Sequence, residues 1–478
     1  MSQTAIYGLP TIVGRLLNYL LVPLYTWVFT ETSDYGVVSE LYAFVALLIV
    51  LLTFGMETAY FKFFNDKENK TEVFNNGFLT IIGLNVGFLL LLLLFNQSIA
   101  DVMLYSEHNE YIILLGLIVC IDAISALPMA KLRSEQKAVK FAVIHFSSIS
   151  VNIGLNLFLM LVVFDNTRPE EGVLFILMAN LLASSVKIIG TYKDYTNIRW
   201  AYNAQLAKEM LKYSFPLVIA GFAGIINETL DRIMLKHLLH NKAGLSLKES
   251  MAQLGIYSAC YKLAMIVTIF LQAYRYAAEP FFFAQSKNKE RGKIYAKIMN
   301  YFVAAVCLVF LSVALNIDIF KYFIRNEAYW EGLGVVPILL VANIFLGIYF
   351  NQSIWYKLSG QTRFGAYIAI GGAIITIAVN LIFIPIYGFW ASAWATLVVY
   401  ALQMVVSYFL GQKYYPIKYN LRKFGLYFGL AIAIYLAAYQ INMEPGAMTF
   451  TKFLVHNSMI LFYVFVIWFI EKPSKRIN

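Results

Sequence analysis

Among the ionisable side chains inside long apolar stretches of this sequence, eight stand out: the cations Arg15, Arg232, Lys262 and Arg275, and the anions Glu57, Asp122, Glu228 and Asp231. In a lipid interior such a group is costly unless it is paired, hydrated or able to reach the interface, so each marks a candidate functional position. At about 1.5 Å of rise per helical residue, Arg15 lies near mid-membrane in the first apolar run and Asp122 equally deep in the fourth. Glu57 and Arg275 sit at similar depth toward the cytoplasm, in the second and eighth runs. Lys262 lies in the outer half of the eighth. Glu228, Asp231 and Arg232 share one face at the outer end of the seventh, by their i, i+3, i+4 spacing. Charges at several depths on a few helices are what a polar translocation path requires.

Structural readings compete at several of these positions. Glu228 with Arg232, and Arg275 with Glu279, have the spacing of ion pairs that would support a helix without touching a ligand. Arg15 and Asp122 are too deep to snorkel easily, but they could pair within the first half of the chain. Lys187 is close enough to the inner end of its run to snorkel. Glu40 is expected at the interface, and Pro23 is expected to kink the first helix. His237 and His240 read as an interfacial pair, because two imidazoles alone make a poor metal site. Cys120, Cys260 and Cys307 lack metal-type spacing and are expected as free buried thiols. No metal or cofactor is assigned.

Membrane helices must position these charges. Of 478 residues, 60% are hydrophobic, 16% aromatic and 13% charged, where soluble domains carry about a quarter charged. That composition excludes a soluble enzyme, a disordered chain and a receptor with a single anchor. A membrane helix needs about 20 mainly apolar residues. Fourteen such runs occur, at 5–29, 37–61, 76–96, 110–131, 141–164, 172–192, 212–235, 254–280, 295–316, 333–356, 365–386, 389–411, 421–441 and 451–470. Only Tyr387-Gly388 separates the eleventh from the twelfth. Uninterrupted runs such as Val86 to Phe95 lack the alternation of a membrane barrel. The predicted fold class is therefore all-α integral membrane, with 14 transmembrane helices. Met1 to Leu9 holds no basic residue ahead of an apolar stretch, so the first run is expected to be a true span and not a cleaved signal peptide.

The cations orient the bundle. Loops after the even-numbered runs, with the C-terminal tail and the adjoining run ends Lys131, Lys212, Lys297, Arg422 and Lys423, hold 25 of the 37 Lys and Arg, against six in the other loops: Arg168, Lys236, Lys242, Lys248, Lys321 and Arg325. This bias places both termini in the cytoplasm. The longest outside loop, about 236–253, leaves no room for an extramembrane domain. The chain also repeats. Aligning 35–64 with 254–283 without gaps matches Gly36/Gly255, Ser39/Ser258, Tyr42/Tyr261, Leu52/Leu271, Ala59/Ala278, Phe63/Phe282 and Phe64/Phe283. Ser134-Glu-Gln136 answers Ser359-Gly-Gln361, and Gly172 to Ala179 answers Gly388 to Ala395. Parallel repeats build two lobes around a central cavity in transporters. The expected lobes are 1–200 (helices 1–6) and 201–411 (helices 7–12), followed by two additional helices and a cytoplasmic tail in 412–478. The sequence has no P-loop, no His-Glu-x-x-His, no Gly-x-Ser-x-Gly and no Thr-Val-Gly-Tyr-Gly filter, so a transporter is expected and an enzyme is not.

Asp34-Tyr-Gly36-Val-Val-Ser39, Phe54-Gly-Met-Glu57-Thr-Ala-Tyr-Phe61, Ser214-Phe-Pro216, Asp231-Arg232-Ile-Met-Leu235 and Leu254-Gly-Ile-Tyr257-Ser-Ala-Cys-Tyr-Lys262 resemble the bacterial polysaccharide (O-antigen type) flippases. These belong to the multidrug/oligosaccharidyl-lipid/polysaccharide exporter (MOP) superfamily. The resemblance implies two six-helix lobes around a cationic cavity in the bacterial cytoplasmic (inner) membrane. It implies a substrate of oligosaccharide linked to undecaprenyl pyrophosphate, with membrane lipids as surroundings. H+ and Na+ are candidate coupling ions, with membrane potential as the other candidate driving force, and other polysaccharide-assembly proteins are candidate partners; nucleic acid is not. Two spans beyond twelve resemble the fourteen-helix members, which include the lipid II flippases. A pyrophosphate needs cations to leave water, and guanidinium forks suit it. Arg15, Arg232, Lys262 and Arg275 are accordingly candidates for substrate binding, and Glu57, Asp122, Glu228 and Asp231 for coupling or gating. A cation-coupled multidrug exporter of the same superfamily is an alternative, against which the mixed signs of the span charges count. A membrane-embedded glycan polymerase or ligase would place its catalytic groups on a larger outside loop.

Overall fold

The computed structural model describes residues 13–14, 16–441 and 447–472. Arg15 lies outside the described residues. Among the described residues, thirteen helices are long and apolar enough to cross a membrane, and one shorter apolar helix precedes them. In chain order they are α1 (Leu16–Val28), α2 (Thr32–Asp66), α3 (Lys70–Leu94), α4 (Asn109–Ser134), α5 (Ala138–Val163), α6 (Pro169–Gly190) and α7 (Ala204–Asn241). There follow α8 (Leu247–Lys287), α9 (Arg291–Leu315), α10 (Glu327–Leu358), α11 (Arg363–Tyr387), α12 (Phe389–Tyr414), α13 (Leu421–Gln440) and α14 (Phe450–Glu471). Thirteen of the fourteen apolar runs match span-length helices, α1 lies within the described part of the first run, and no strand occurs among the described residues.

Local chemistry sets many of the ends. Side-chain oxygens of Asn69, Asn203, Asn420 and Thr449 accept from first-turn amides of α3, α7, α13 and α14, the usual remedy for orphan donors. Pro169 opens α6, with Glu170 and Glu171 in its first turn, as the helix dipole favours. Gly388, at a φ of 58°, makes the tight break between α11 and α12.

One break falls inside a span. In α2, Phe54 and Gly55 are both left-handed, at φ 47° and 63°. A helix interrupted in lipid must satisfy its freed carbonyls from neighbouring protein. Buried Asn85 of α3 donates to the Leu52 carbonyl at 3.2 Å, and the Ser214 hydroxyl of α7 to the Gly55 carbonyl at 3.4 Å. In α8, the repeat counterpart of α2, the matching residues 273–274 lie in unbroken helix.

The chain falls into two compact units, 1–255 and 256–478, with α8 passing from the first into the second. In the first, α3 packs on α4, α4 on α6 and α5 on α6, and α7 packs along α2. In the second, α9 packs on α10, α10 on α12 and α11 on α12. The same three pairings recur six helices later, as the sequence repeat requires. Both α13 and α14 pack on α9 and on each other. Loops after even-numbered helices lie at one end of each unit, its basic face, and the remaining loops at the other end, its opposite face.

Two expectations change on the opposite face. Helix α7 continues to Asn241 and α8 starts at Leu247, so the expected loop 236–253 shrinks to residues 242–246. Lys236 is thereby inside a helix and not in a loop.

Candidate functional site

On the basic face of unit 1, the α2 break aims Glu57 at the end of α4. The Arg133 guanidinium donates to Glu57 at 2.5 Å and lies over the Phe61 and Phe141 rings at 5.1 and 5.9 Å. Lys131, two residues earlier on α4, donates to Asp194 at 2.7 Å. Unit 2 repeats the arrangement. Lys357 at the end of α10 donates to Glu279 of α8 at 2.7 Å. Arg275 reaches the same carboxylate at 3.6 Å and stands over Phe350 at 4.3 Å. Glu57 and Glu279 are each 38% exposed. Pairs this wet are held weakly and exchange partners readily, so an incoming anion can compete with the carboxylate for the cation.

Deeper in unit 1, Asp122 accepts from Lys187 of α6 at 2.8 Å. Lys187 therefore pairs across helices and does not snorkel. Asn180 donates to the Tyr42 hydroxyl at 3.0 Å, and Tyr25 donates to Asn156 at 2.8 Å. An amide step from Asn156 through Asn152 reaches Asn18 on α1.

On α7 the Glu228–Arg232 step is made through backbone: the Arg232 guanidinium donates to the Glu228 carbonyl at 3.0 Å. The Arg232 amide donates to the Asp231 carboxylate at 2.9 Å. Asp231 and Arg232 are buried and Glu228 is exposed. Lys262, in unit 2, is partly buried. The described candidates thus occupy separate places, with Glu57, Asp122 and the α7 trio in unit 1 and Lys262 and Arg275 in unit 2.

One cluster escaped the sequence reading. Glu40, expected at the interface, is fully buried, and so is Lys236. The Lys236 ammonium donates to Glu40 Oε2 at 2.8 Å and to the Met103 carbonyl at 2.6 Å, and lies 3.6 Å over the Tyr105 ring. The Tyr105 hydroxyl donates to the same Glu40 oxygen at 2.5 Å. Burial and the adjacent carboxylate hold the Tyr105 phenol well above its ordinary range, so it stays a donor. The available signal was spacing: Lys236 continues the i, i+4 stripe of Glu228 and Arg232. Arg133 and Lys357 were missed because they lie at helix ends, where cations ordinarily serve topology.

The fold is that of MOP-type transporters. Over 97% of this chain and 98% of the other, it superposes on a lipid II flippase, MurJ, in an inward closed conformation, at a TM-score of 0.73 and 12% identity. An inward-facing multidrug resistance transporter of the MATE family, in the MOP superfamily, matches 86% of this chain and 94% of its own, at 0.63 and 13%. These neighbours are a flippase and a transporter, not enzymes. The chain belongs to the polysaccharide biosynthesis protein family, whose pattern matches residues 1–286. A relative from Haemophilus influenzae, "Lsg locus putative protein 1", is 24% identical over 296 residues, which is 60% of this chain and 67% of the relative. The chain thus spans about two thirds of that protein's length.

Proposed function

We propose that this protein flips an undecaprenyl-pyrophosphate-linked oligosaccharide, a repeat unit of surface polysaccharide, from the inner to the outer leaflet of a bacterial cytoplasmic membrane. The sugar head crosses between two six-helix lobes that alternate access, and the prenyl tail stays in lipid. Both termini lie in the cytoplasm, so the basic face receives the substrate. The observation that carries this reading is the pair of repeat-related, half-exposed charge sites there: Glu57 with Arg133, and Arg275 with Glu279 and Lys357. A diphosphate offers these cations a stronger partner than a wet carboxylate does, and the released carboxylates become free to re-pair as the lobes move. Arg15, Arg232 and Lys262 would then line the path further on, with Asp122, Glu228 and Asp231 available for coupling or gating.

Deleting the gene tests the proposal. In a strain with no redundant flippase, undecaprenyl-linked glycan is expected to accumulate on the cytoplasmic leaflet and surface glycan to disappear. A plasmid copy should restore both. Normal surface glycan in the deletion strain overturns the reading.

A further inference from the structure

The transport reading leaves Glu40 without a task. Its carboxylate is unevenly served: Oε2 accepts from Lys236 and Tyr105, whereas buried Oε1 has no hydrogen-bond partner. His237 Nε2 stands 3.8 Å from Oε1. That imidazole is 26% exposed, so it stands between the buried oxygen and the medium. The cluster also occupies a mechanical junction. Glu40 is on α2 in the first repeat, Lys236 on α7 in the second, and Met103 and Tyr105 on the connection between α3 and α4. One turn before Glu40, Gly36 meets the Met251 carbonyl of α8, and Gly255 of α8 meets the Thr32 carbonyl of α2. These two contacts exchange under the offset that relates the repeats (36 to 255, 32 to 251). Beside this backbone crossing, the ionic cluster joins the repeats on the opposite face.

We propose that Glu40 is a proton-binding site on the opposite face and that its protonation releases α7 from α2. This names the coupling ion of the transport reading and rests on that reading only for the word coupling. The step balances simply. A proton moves from the medium to Glu40 Oε1, turning the carboxylate and ammonium pair into a neutral acid beside a cation. A buried ammonium stripped of its counter-charge is strongly disfavoured, so Lys236 must find water, and it can do so only if α7 shifts. Loss of the proton restores the pair and the closed junction. The groups facing Glu40 are Lys236 and His237 from α7 and Tyr105 from the α3–α4 connection. His240 lies one turn on, with its Nδ1 at 3.0 Å from the Leu245 carbonyl. Glu31 and Lys248 pair with each other nearer solvent, at 3.3 Å.

Amide hydrogen exchange on the full chain in nanodiscs tests this without any substrate. Peptides over 100–108 and 236–250 are followed at about pH 7.5 and about pH 5.5. Rates are corrected for intrinsic pH dependence. Wild type is expected to exchange roughly tenfold faster in these peptides at the lower pH, the size of a local opening. Glu40→Gln should be open at both values, and His237→Gln with His240→Gln should still respond. Glu40→Leu with Lys236→Met keeps the volume without charge and should stay closed at both, which guards against a single variant that fails to fold. The proposal is overturned if Glu40→Gln or the apolar pair keeps the pH response, if Glu40→Gln stays closed, or if removing the two imidazoles alone abolishes the response. Because the readout is amide exchange, a chain that passes here yet exports no glycan refutes the flippase reading and leaves this one standing.

Discussion

Exposure decides what each ion pair is worth. Arg133 and Glu57 are 35% and 38% exposed, and such pairs contribute at most about 1 kcal/mol. Lys236 and Glu40 have no exposed surface, and removing one partner of such a pair costs about 3–5 kcal/mol. Arg133→Ala is therefore expected to leave the thermal midpoint of the purified protein nearly unchanged while lowering surface glycan in a complementation assay. Lys236→Ala should lower the midpoint sharply, and Lys236→Met with Glu40→Leu should recover most of the loss. Thermal unfolding in detergent together with glycan staining checks both. Equal destabilisation by Arg133→Ala and Lys236→Ala would contradict this division of roles.

At the level of helices, the α2–α8 crossing depends on two absent side chains. A Cβ on Gly36 would run into the Met251 backbone carbonyl, which cannot swing aside as a side chain can. Gly36→Ala is expected to force the helices apart, reducing folded yield and thermal midpoint. Gly83 of α3 has nothing within 4 Å of where its Cβ would stand. Gly83→Ala should be neutral or stabilising by up to about 1 kcal/mol, since alanine suits a helix better. Size-exclusion yield and unfolding of the two variants distinguish steric from propensity effects. Helix α2 differs from α8 in its break at Phe54 and Gly55, so the repeat is symmetric in pairing and asymmetric in local backbone.

For the whole molecule, orientation is the property most open to direct test. The 25-to-6 division of Lys and Arg between loop sets predicts cytoplasmic termini. A fluorescent protein fused at the C-terminus should be bright, and alkaline phosphatase there inactive. Phosphatase inserted in the 242–246 connection should be active. The opposite pattern would invert every assignment of inner and outer used in the proposed transport direction. The recurrence of the α3–α4, α4–α6 and α5–α6 pairings as α9–α10, α10–α12 and α11–α12 is the structural counterpart of a repeat that only seven identities mark in its best aligned stretch.

Thirteen of the spans, their order, the repeat and the charge bias of the loops are legible in the sequence alone. All of these are written locally: hydrophobic length and the placement of Lys and Arg need no knowledge of neighbours. Which charges meet was decided by the tertiary structure alone. Lys187 and Asp122 are 65 residues apart in the chain, Arg133 and Glu57 are 76 apart, and Lys236 and Glu40 are 196 apart. Their pairing depends on how each helix is rotated about its axis and on which helices pack together. Lys236 looked like a loop cation because hydropathy falls before α7 ends. Only its packing beside α2 and the α3–α4 connection shows that the helix continues there with its charge enclosed.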